Sequence, residues 1–595
     1  MKLSDYLASF LVEQGVRHVF QIIGGASVHM VHSLADNKDI DYVCVQHEQA
    51  GAMAAEAYSR MTKNLGVAMA TSGPGMTNLI TGIACAYFDS TPTLYITGQV
   101  NTNESKQGRK VRQVGFQETD IVQIVGPLTK FAVRIEDPSL VRYYLEKAVA
   151  IAKSGRPGPV LLDIPMDIQR AIIDPDILKP FDPEELDGDV DTKEDIKKAV
   201  REAIRLLQRA KRPVIIAGGA IRYADVVASF ERVVQCVGAP VVATWSGIDV
   251  ISHDHPLYRG QIGVYGNRAA NFTVQNADVI VSMGSRLDTR ITGGRPETFA
   301  RGAKKVVVDI DRAELYKQRG LNPDVGICAD VRDVLPVFLQ ELKQVKFLQR
   351  QEWQQQTLGW MREYPSVLPE WYRRKTLVDP YVFIRTLSEV LDNKAIVVTD
   401  CGANLVWTIQ AFHVKQGQRL FSAMGNSPMG YSMAAAMGAS IALGKRPIIC
   451  IIGDGGLQIN IQELQTIARY RIPLKVFILN NHSYGIIKQF QELYFNSQYE
   501  GTTPKSGYSV PDFCNIAKAY GLPSASLIRH AGLARKIREI LAHKGPIFCD
   551  VLVPDGAKLI PKLTFGNAIE DLSPELSREE FLRHMLITPL NDKST

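Results

Sequence analysis

Short apolar runs alternate along this chain with longer stretches whose apolar positions recur at helical spacing. Runs of the first kind read as strands buried on both faces, and stretches of the second as amphipathic helices that cover them. In residues 1–175 the strand-like runs are HVFQIIG, DYVCVQ, LGVAMATSG, PTLYITG and PVLLDIP. Each ends in Gly or polar residues before a helix, which predicts an α/β fold with a doubly wound parallel sheet. Residues 192–345 repeat the pattern with PVIIAGG, PVVATW, DVIVSMGS and KKVVVDID. Residues 375–556 repeat it again with AIVVTDCG, RLFSAMGNSPMG, PIICIIGDGG, LKVFILNN and PIFCDVLVP. The Pro- and Asp-rich stretch 174–195 closes the first domain, and a polar, Gln-rich linker at 343–376 leads to the third. Residues 557–595 read as an irregular tail with a short helix over 577–584. Two domains of one architecture flanking another suggest a duplicated ancestral unit, although no strict period is visible.

Composition changes this picture little. A chain of 595 residues is too long for one core. A net charge of +6 without a long basic run excludes nucleic acid as an obvious partner. The eight cysteines lack C-x-x-C spacing, and Cys44, Cys450 and Cys549 sit in apolar runs, so reduced thiols in a cytoplasmic protein are expected. The N-terminal MKLSDYLASFLVEQG is an amphipathic helix without the basic and apolar regions of a signal peptide. No apolar run is long enough to span a membrane.

The densest chemistry lies in residues 450–481, CIIGDGGLQINIQELQTIARYRIPLKVFILNN. It reads as strand, Gly-rich turn, helix and strand, a right-handed crossover unit whose two strands end on one edge of the sheet. Asp454 and Asn481 therefore converge although distant in sequence. A carboxylate and an amide oxygen suit Mg²⁺, and Gly453, Gly455 and Gly456 let backbone N–H groups approach a phosphate at the helix N-terminus. Taken alone, Gly-Asp-Gly equally describes a tight turn with an exposed Asp. Glu48 opens an Ala- and Gly-rich helix, either as a carboxylate favoured by the helix dipole or as a buried functional group. In the middle segment Gly218, Gly219 and Gly284 end strands, Arg286-x-Asp288-x-Arg290 sets alternating charges beside a crevice, and Asp309 stands where a ribose-contacting acid would. That is a generic nucleotide-binding layout.

Read in order, the motifs GGAS (24–27), HEQ (47–49), TSGPGMTN (71–78), FQETDIV (116–122), SGRPGPVLLDIPMDIQ (154–169), GSRLDTRITG (284–293) and GDGG…NN make this chain resemble the acetolactate synthase group of thiamine diphosphate (ThDP)-dependent enzymes over nearly all of residues 1–554. The resemblance implies a pyrimidine-binding domain, a middle domain that holds FAD in many members, and a diphosphate-binding domain. It implies that Asp454, Asn481 and the backbone carbonyl of Ser483 ligate Mg²⁺, and that Gly453, Gly455 and Gly456 contact the diphosphate. Met429 matches the apolar residue that bends the cofactor. Glu48 matches the glutamate that bonds the pyrimidine ring, with Ser72, Asn78 and Asn404 completing the ThDP set. Gly25, Phe116 and Gln117 join Glu48 as catalytic candidates; Phe116 and Gln117, with Gln113 beside them, shape the acceptor side. Arg156, Gly218, Gly219, Gly284, Arg286, Asp288, Arg290 and Asp309 match flavin-site positions, for an FAD that does no net redox. A homodimer or homotetramer with ThDP at the subunit interface is implied as well.

Departures from the family concern the acceptor. Met166 stands where the biosynthetic enzymes carry Lys, and Phe490 stands where they carry Trp. Ala403-Asn404 replaces a Gln-His pair. The segment NTNESKQGRKVRQVG (101–115) is longer than theirs and lacks their Pro-Arg loop. Loss of that Lys removes a charge-assisted contact of about 1.5–3 kcal/mol to an anionic acceptor. The expectation is a carboligase that decarboxylates pyruvate and adds the two-carbon unit to a carbonyl acceptor. Alternatives are transfer to a keto-sugar or larger ketone, a ThDP-dependent C–C hydrolase, or a silent paralogue kept as a partner subunit. Pyruvate decarboxylase fits less well because its adjacent His pair is missing, and glyoxylate carboligase because it lacks the glutamate that Glu48 supplies.

Overall fold

In the computed structural model, which describes residues 1–590 apart from 187, 318, 319, 348 and 376, the apolar runs become three sheets of six strands each, parallel throughout. The first contains β1 His18–Gln21, β2 Asp41–Cys44, β3 Gly66–Ala70, β4 Thr93–Gln99, β5 Phe131–Arg134 and β6 Pro159–Pro165. The second contains β7 Pro213–Ala217, β8 Val241–Ala243, β9 Tyr258–Gln261, β10 Val279–Met283, β11 Lys304–Asp309 and β12 Val325–Cys328. The third contains β13 Ile396–Thr399, β14 Arg419–Phe421, β15 Ile448–Gly453, β16 Leu474–Asn480, β17 Ser524–Leu527 and β18 Ile547–Leu552. Every residue of β3, β4, β6, β10 and β16 is buried, as strands covered by helices on both faces must be.

Strand order fixes where ligands can sit. The first sheet runs β2-β1-β3-β4-β6-β5 and the third β14-β13-β15-β16-β18-β17, the same order element for element, as a duplicated unit requires. The order reverses between β1 and β3, and again between β13 and β15. The middle sheet runs β12-β11-β10-β7-β8-β9, a dinucleotide-fold order that reverses between β7 and β10. At such a reversal the two crossover helices leave toward opposite faces, opening a crevice beyond the strand ends.

The first and third domains are joined by helices Glu48–Thr62 and Tyr431–Ala442, both buried and rich in Ala. Their backbones approach so closely that a Cβ on Gly438 would lie 2.0 Å from the Ala54 carbonyl oxygen. A buried charge network locks the crossing. Glu56 accepts from Arg60 Nε at 2.5 Å, Tyr431 OH at 2.5 Å and Thr91 Oγ1 at 2.7 Å, and Arg60 reaches Asp89 at 2.6 Å. Asp89 in turn accepts from the Met424 and Gly425 amides at 2.9 and 2.7 Å.

One expectation needs correction. The stretch 343–376 is more than a polar linker: helix Gln351–Glu363 turns Trp353 and Trp360 inward, and Trp353 Nε1 donates to the Pro213 carbonyl at 3.0 Å. Placed seven residues apart, the two indoles share one helical face while the glutamines take the other. The tail is irregular apart from a two-residue strand pair and the short helix expected over 577–584, and it folds back on the middle domain. Lys562–Leu563 pairs antiparallel with Leu572–Ser573, and helix Arg578–His584 follows. Glu570 accepts from Gln275 at 2.5 Å and Arg301 at 2.6 Å, while Trp360 Nε1 donates to His584 Nδ1 at 2.8 Å. The last part of the expected tail, 591–595, lies outside the described residues. All eight cysteines are free; Cys450 and Cys549 are buried and Cys44 half-buried. No helix among the described residues is long and apolar enough to cross a membrane.

Candidate active site

Beyond the switch point of the third sheet, β15 ends at Gly453 and helix Asp454–Ile459 begins. Asp454 is buried. Its Oδ1 accepts from the Gly455 amide at 2.7 Å and Tyr508 OH at 2.8 Å, whereas Oδ2 is buried with no hydrogen-bond partner. Burial pushes the carboxyl up to about 6, against hydrogen bonds from Tyr508 and the Gly455 amide. An acceptor stranded at this depth costs a desolvation penalty that a hard cation would remove. β16 delivers Asn481, which is buried and commits its amide nitrogen to Ser483 Oγ at 2.9 Å, leaving the carboxamide oxygen as the coordinating end. The Ser483 carbonyl accepts from the Gly485 amide at 2.8 Å and keeps a second lone pair.

The glycines are dictated by contact. A Cβ on Gly455 would lie 2.4 Å from the Tyr484 ring, and one on Gly456 would lie 2.2 Å from Asp400 Oδ2. Asp400, fully buried at the end of β13, accepts from the Gly430 amide at 3.0 Å and the Ser432 amide at 2.8 Å, and burial pushes it up to about 6. It thereby fixes the turn that carries half-buried Met429. Asn404 turns inward. Its Oδ1 accepts from the Asp400 amide at 3.2 Å and its Nδ2 donates to the Cys401 carbonyl at 2.6 Å, beside Gly453.

The first-domain half is built at the corresponding switch point. Glu48 is the first residue of its helix, capped by His47, whose Nδ1 accepts from the Gln49 amide at 3.1 Å. Asn78 Nδ2 donates to Glu48 Oε2 at 2.9 Å, and a Cβ on Gly75 would lie 3.4 Å from Oε1. Ser72, on the same turn, is buried. Glu463 from the third domain accepts from the Gln46 and His47 amides, both at 2.9 Å, so the chain entering Glu48 is pinned across the domain joint. Burial pushes Glu463 up to about 7. Gln117 has φ +64° and presses on Gly73, whose Cβ would lie 2.9 Å from Gln117 Cβ. Phe116 is 84% exposed and Gly25 has open space before it.

Asp400, Glu463 and Tyr508 were not anticipated. Asp400 alone left a trace in the sequence, as the polar end of the run AIVVTD; the other two act through contacts from separate elements.

At the switch point of the middle sheet lies a cavity of about 360 Å³ walled by the first and middle domains, with Arg419, Met424 and Gly425 of the third. Arg156, Gly219, Gly284, Arg286, Asp288, Arg290 and Asp309 all line it, joined by Arg60, Arg222, Tyr223 and Trp245. Gly218 lies behind the wall, where a Cβ would stand 2.1 Å from the Gly284 carbonyl oxygen. Arg156 Nη1 bonds Asp311 at 3.1 Å and Glu314 at 3.0 Å. Burial pushes Asp309 up to about 6.

Comparison with known proteins agrees with this layout. Residues 1–124 match the N-terminal TPP binding domain of thiamine pyrophosphate enzymes, residues 200–338 the central domain, and residues 400–551 the C-terminal TPP binding domain. The acetolactate synthase large subunit of Cyanidium caldarium is 34% identical over 578 residues, covering 94% of this chain and 95% of that protein. Acetolactate synthase 1, chloroplastic, of Zea mays is 33% identical over 580 residues, covering 96% and 88%. Acetolactate synthase 2, chloroplastic, of Nicotiana tabacum is 33% identical over 586 residues, covering 96% and 85%.

Proposed function

The chain belongs to the acetolactate synthase large-subunit family of thiamine-diphosphate enzymes, and from that premise we propose that it removes CO₂ from pyruvate and joins the remaining two-carbon unit to a carbonyl acceptor. It is a ThDP-dependent carboligase, which we class as a transferase. The observation that supports the site assignment best is the buried, partnerless Asp454 Oδ2 beside a Gly-rich strand end at a switch point.

When bound, ThDP supplies the carbon nucleophile and electron sink that let a 2-oxo acid lose CO₂. Asp454, the Asn481 carboxamide oxygen and the Ser483 carbonyl would hold Mg²⁺, and the backbone of Gly453, Gly455 and Gly456 the diphosphate. Glu48, with Oε2 held by Asn78, keeps Oε1 beside the Gly75 turn as the proton-exchanging atom. The middle cavity has the residues and setting for a dinucleotide, which we read as FAD without a redox role. We further propose a cytoplasmic homodimer or homotetramer with ThDP at the subunit interface. The domain division we propose is 1–175, 192–345, 375–556 and 557–595.

Purified protein with ThDP, Mg²⁺ and FAD, given pyruvate alone and then pyruvate with candidate acceptors, tests the proposal. CO₂ release that requires ThDP and Mg²⁺, with an acyloin product, is expected; failure to decarboxylate any 2-oxo acid would overturn it. Glu48→Gln is expected to lower CO₂ release about 100-fold or more while ThDP still binds. Unchanged turnover would remove Glu48 from its role. Bound FAD would colour the protein yellow and be released on denaturation.

A further inference from the structure

We propose that the loop of residues 106–114 is an anion-recognition arm selecting a phosphate-bearing carbonyl acceptor. The inference rests on the carboligase reading and adds the acceptor's chemical class. The loop is built rather than slack. Buried Glu118 accepts from the Lys106 amide at 2.6 Å, the Val114 amide at 2.9 Å and Ser105 Oγ at 3.2 Å, so the loop leaves and rejoins the body at one carboxylate. Gln113 Nε2 returns to the Glu118 carbonyl at 3.0 Å, and Asp167 holds the Thr102 amide at 3.1 Å.

Between these anchors Arg109, Lys110 and Arg112 are exposed and form no ion pair among the described residues. Lys106, at the loop's foot, has a partner in Asp120 at 3.9 Å. Three unneutralised cations on a short, pinned loop repel one another, and an anion relieves that repulsion. The location is specific. Gln117, three residues past the loop, packs on Gly73, and a Cβ on Gly75 of the same turn would lie 3.4 Å from Glu48 Oε1, so the loop leads into the turn that holds the catalytic carboxylate. Phe116, 84% exposed beside it, offers a flat apolar face to a ring carried on the same ligand. Unpaired cations on a loop that leads into the Glu48 turn fit an acceptor that carries phosphate, as a phosphate monoester or a diphosphate-linked sugar.

A matched acceptor pair tests this in the ThDP- and Mg²⁺-loaded protein, with pyruvate as donor. Glyceraldehyde 3-phosphate should exceed glyceraldehyde in kcat/KM by about tenfold or more at low ionic strength, and added salt should shrink that advantage. The triple variant R109A/K110A/R112A should lose it, with pyruvate decarboxylation and glyceraldehyde turnover unchanged. Calorimetric titration with inorganic diphosphate and with UDP reads the arm without turnover. Binding of UDP alone points to the nucleotide-linked source and binding of both to phosphate generally; the triple variant should weaken either about tenfold. Equal kcat/KM for the two acceptors with diphosphate and UDP binding unaffected in the variant would overturn the inference. So would dissociation of the oligomer in the variant, which would make the arm a subunit contact, or binding of wild type to anionic vesicles in preference to soluble phosphates. Wild type that releases no CO₂ but binds diphosphate through the arm would sink the carboligase reading and leave this one standing.

Discussion

At Asp454 one carboxylate oxygen takes two hydrogen bonds and the other takes none, and the group is pushed up to about 6. The folded protein without cofactor thus bears the cost of an ionised, half-satisfied acid at neutral pH. Asp454→Asn should raise the melting temperature of the cofactor-free protein at neutral pH, by about 1–3 kcal/mol of stability, while abolishing Mg²⁺-dependent ThDP retention. A variant melting below wild type without cofactor would show the carboxylate to be a structural acceptor instead. Asp454, Asn481 and Glu48 were legible because strand ends announce themselves by Gly and by a break in the apolar run. Asp400, Glu463 and Tyr508 were not, since each works by reaching an element remote in sequence.

Among the elements, the strands that escaped sequence reading are β5, β9, β12 and β17, and every one lies at a sheet edge. Edge strands can be short and polar, as the buried YRGQ and the more exposed SASL are, so the apolar run that marks a central strand is missing. The Gln351–Glu363 helix escaped because two buried tryptophans in a Gln-rich segment make a thin apolar stripe. Glu463 shows how one element serves another, holding the amides that lead into the Glu48 helix. Its carboxyl is pushed up from 4.5 to about 7, so the folded state holds the proton more tightly than the unfolded chain. The stability drawn from that difference is fully present below 4.5 and lost as pH rises through about 7. Glu463→Gln keeps a neutral group at every pH. Its melting temperature should therefore gain on wild type between about pH 5 and about pH 8. A gap that stays flat across that range would place the titration elsewhere.

On the scale of the whole chain, the tail fastens the middle domain to the third. It covers Trp360 through His584 and Asn271 through the Ile569 carbonyl, the latter at 2.7 Å. Phe565 packs on Phe490 and Tyr494, with ring centroids 5.3 and 4.8 Å apart. Deleting residues 557–595 should expose this apolar surface, cost about 2–5 kcal/mol of stability and induce binding of a hydrophobic dye. A truncated protein that melts with wild type and binds no dye would make the tail dispensable.

The crossing of Glu48–Thr62 with Tyr431–Ala442 joins partners separated by nearly 400 positions of chain. During translation at about 5–20 residues per second, the Ala-rich face of the first helix waits roughly 20–75 s for the surface that buries it. In that interval the nascent first domain presents an uncovered apolar ridge, so its safety is a matter of timing and of chaperones. Chains stalled on the ribosome should be cut by protease within the Glu48 helix at lengths short of residue 430 and be protected once the third sheet has emerged. Equal protection at both lengths would mean that the first domain completes its fold alone.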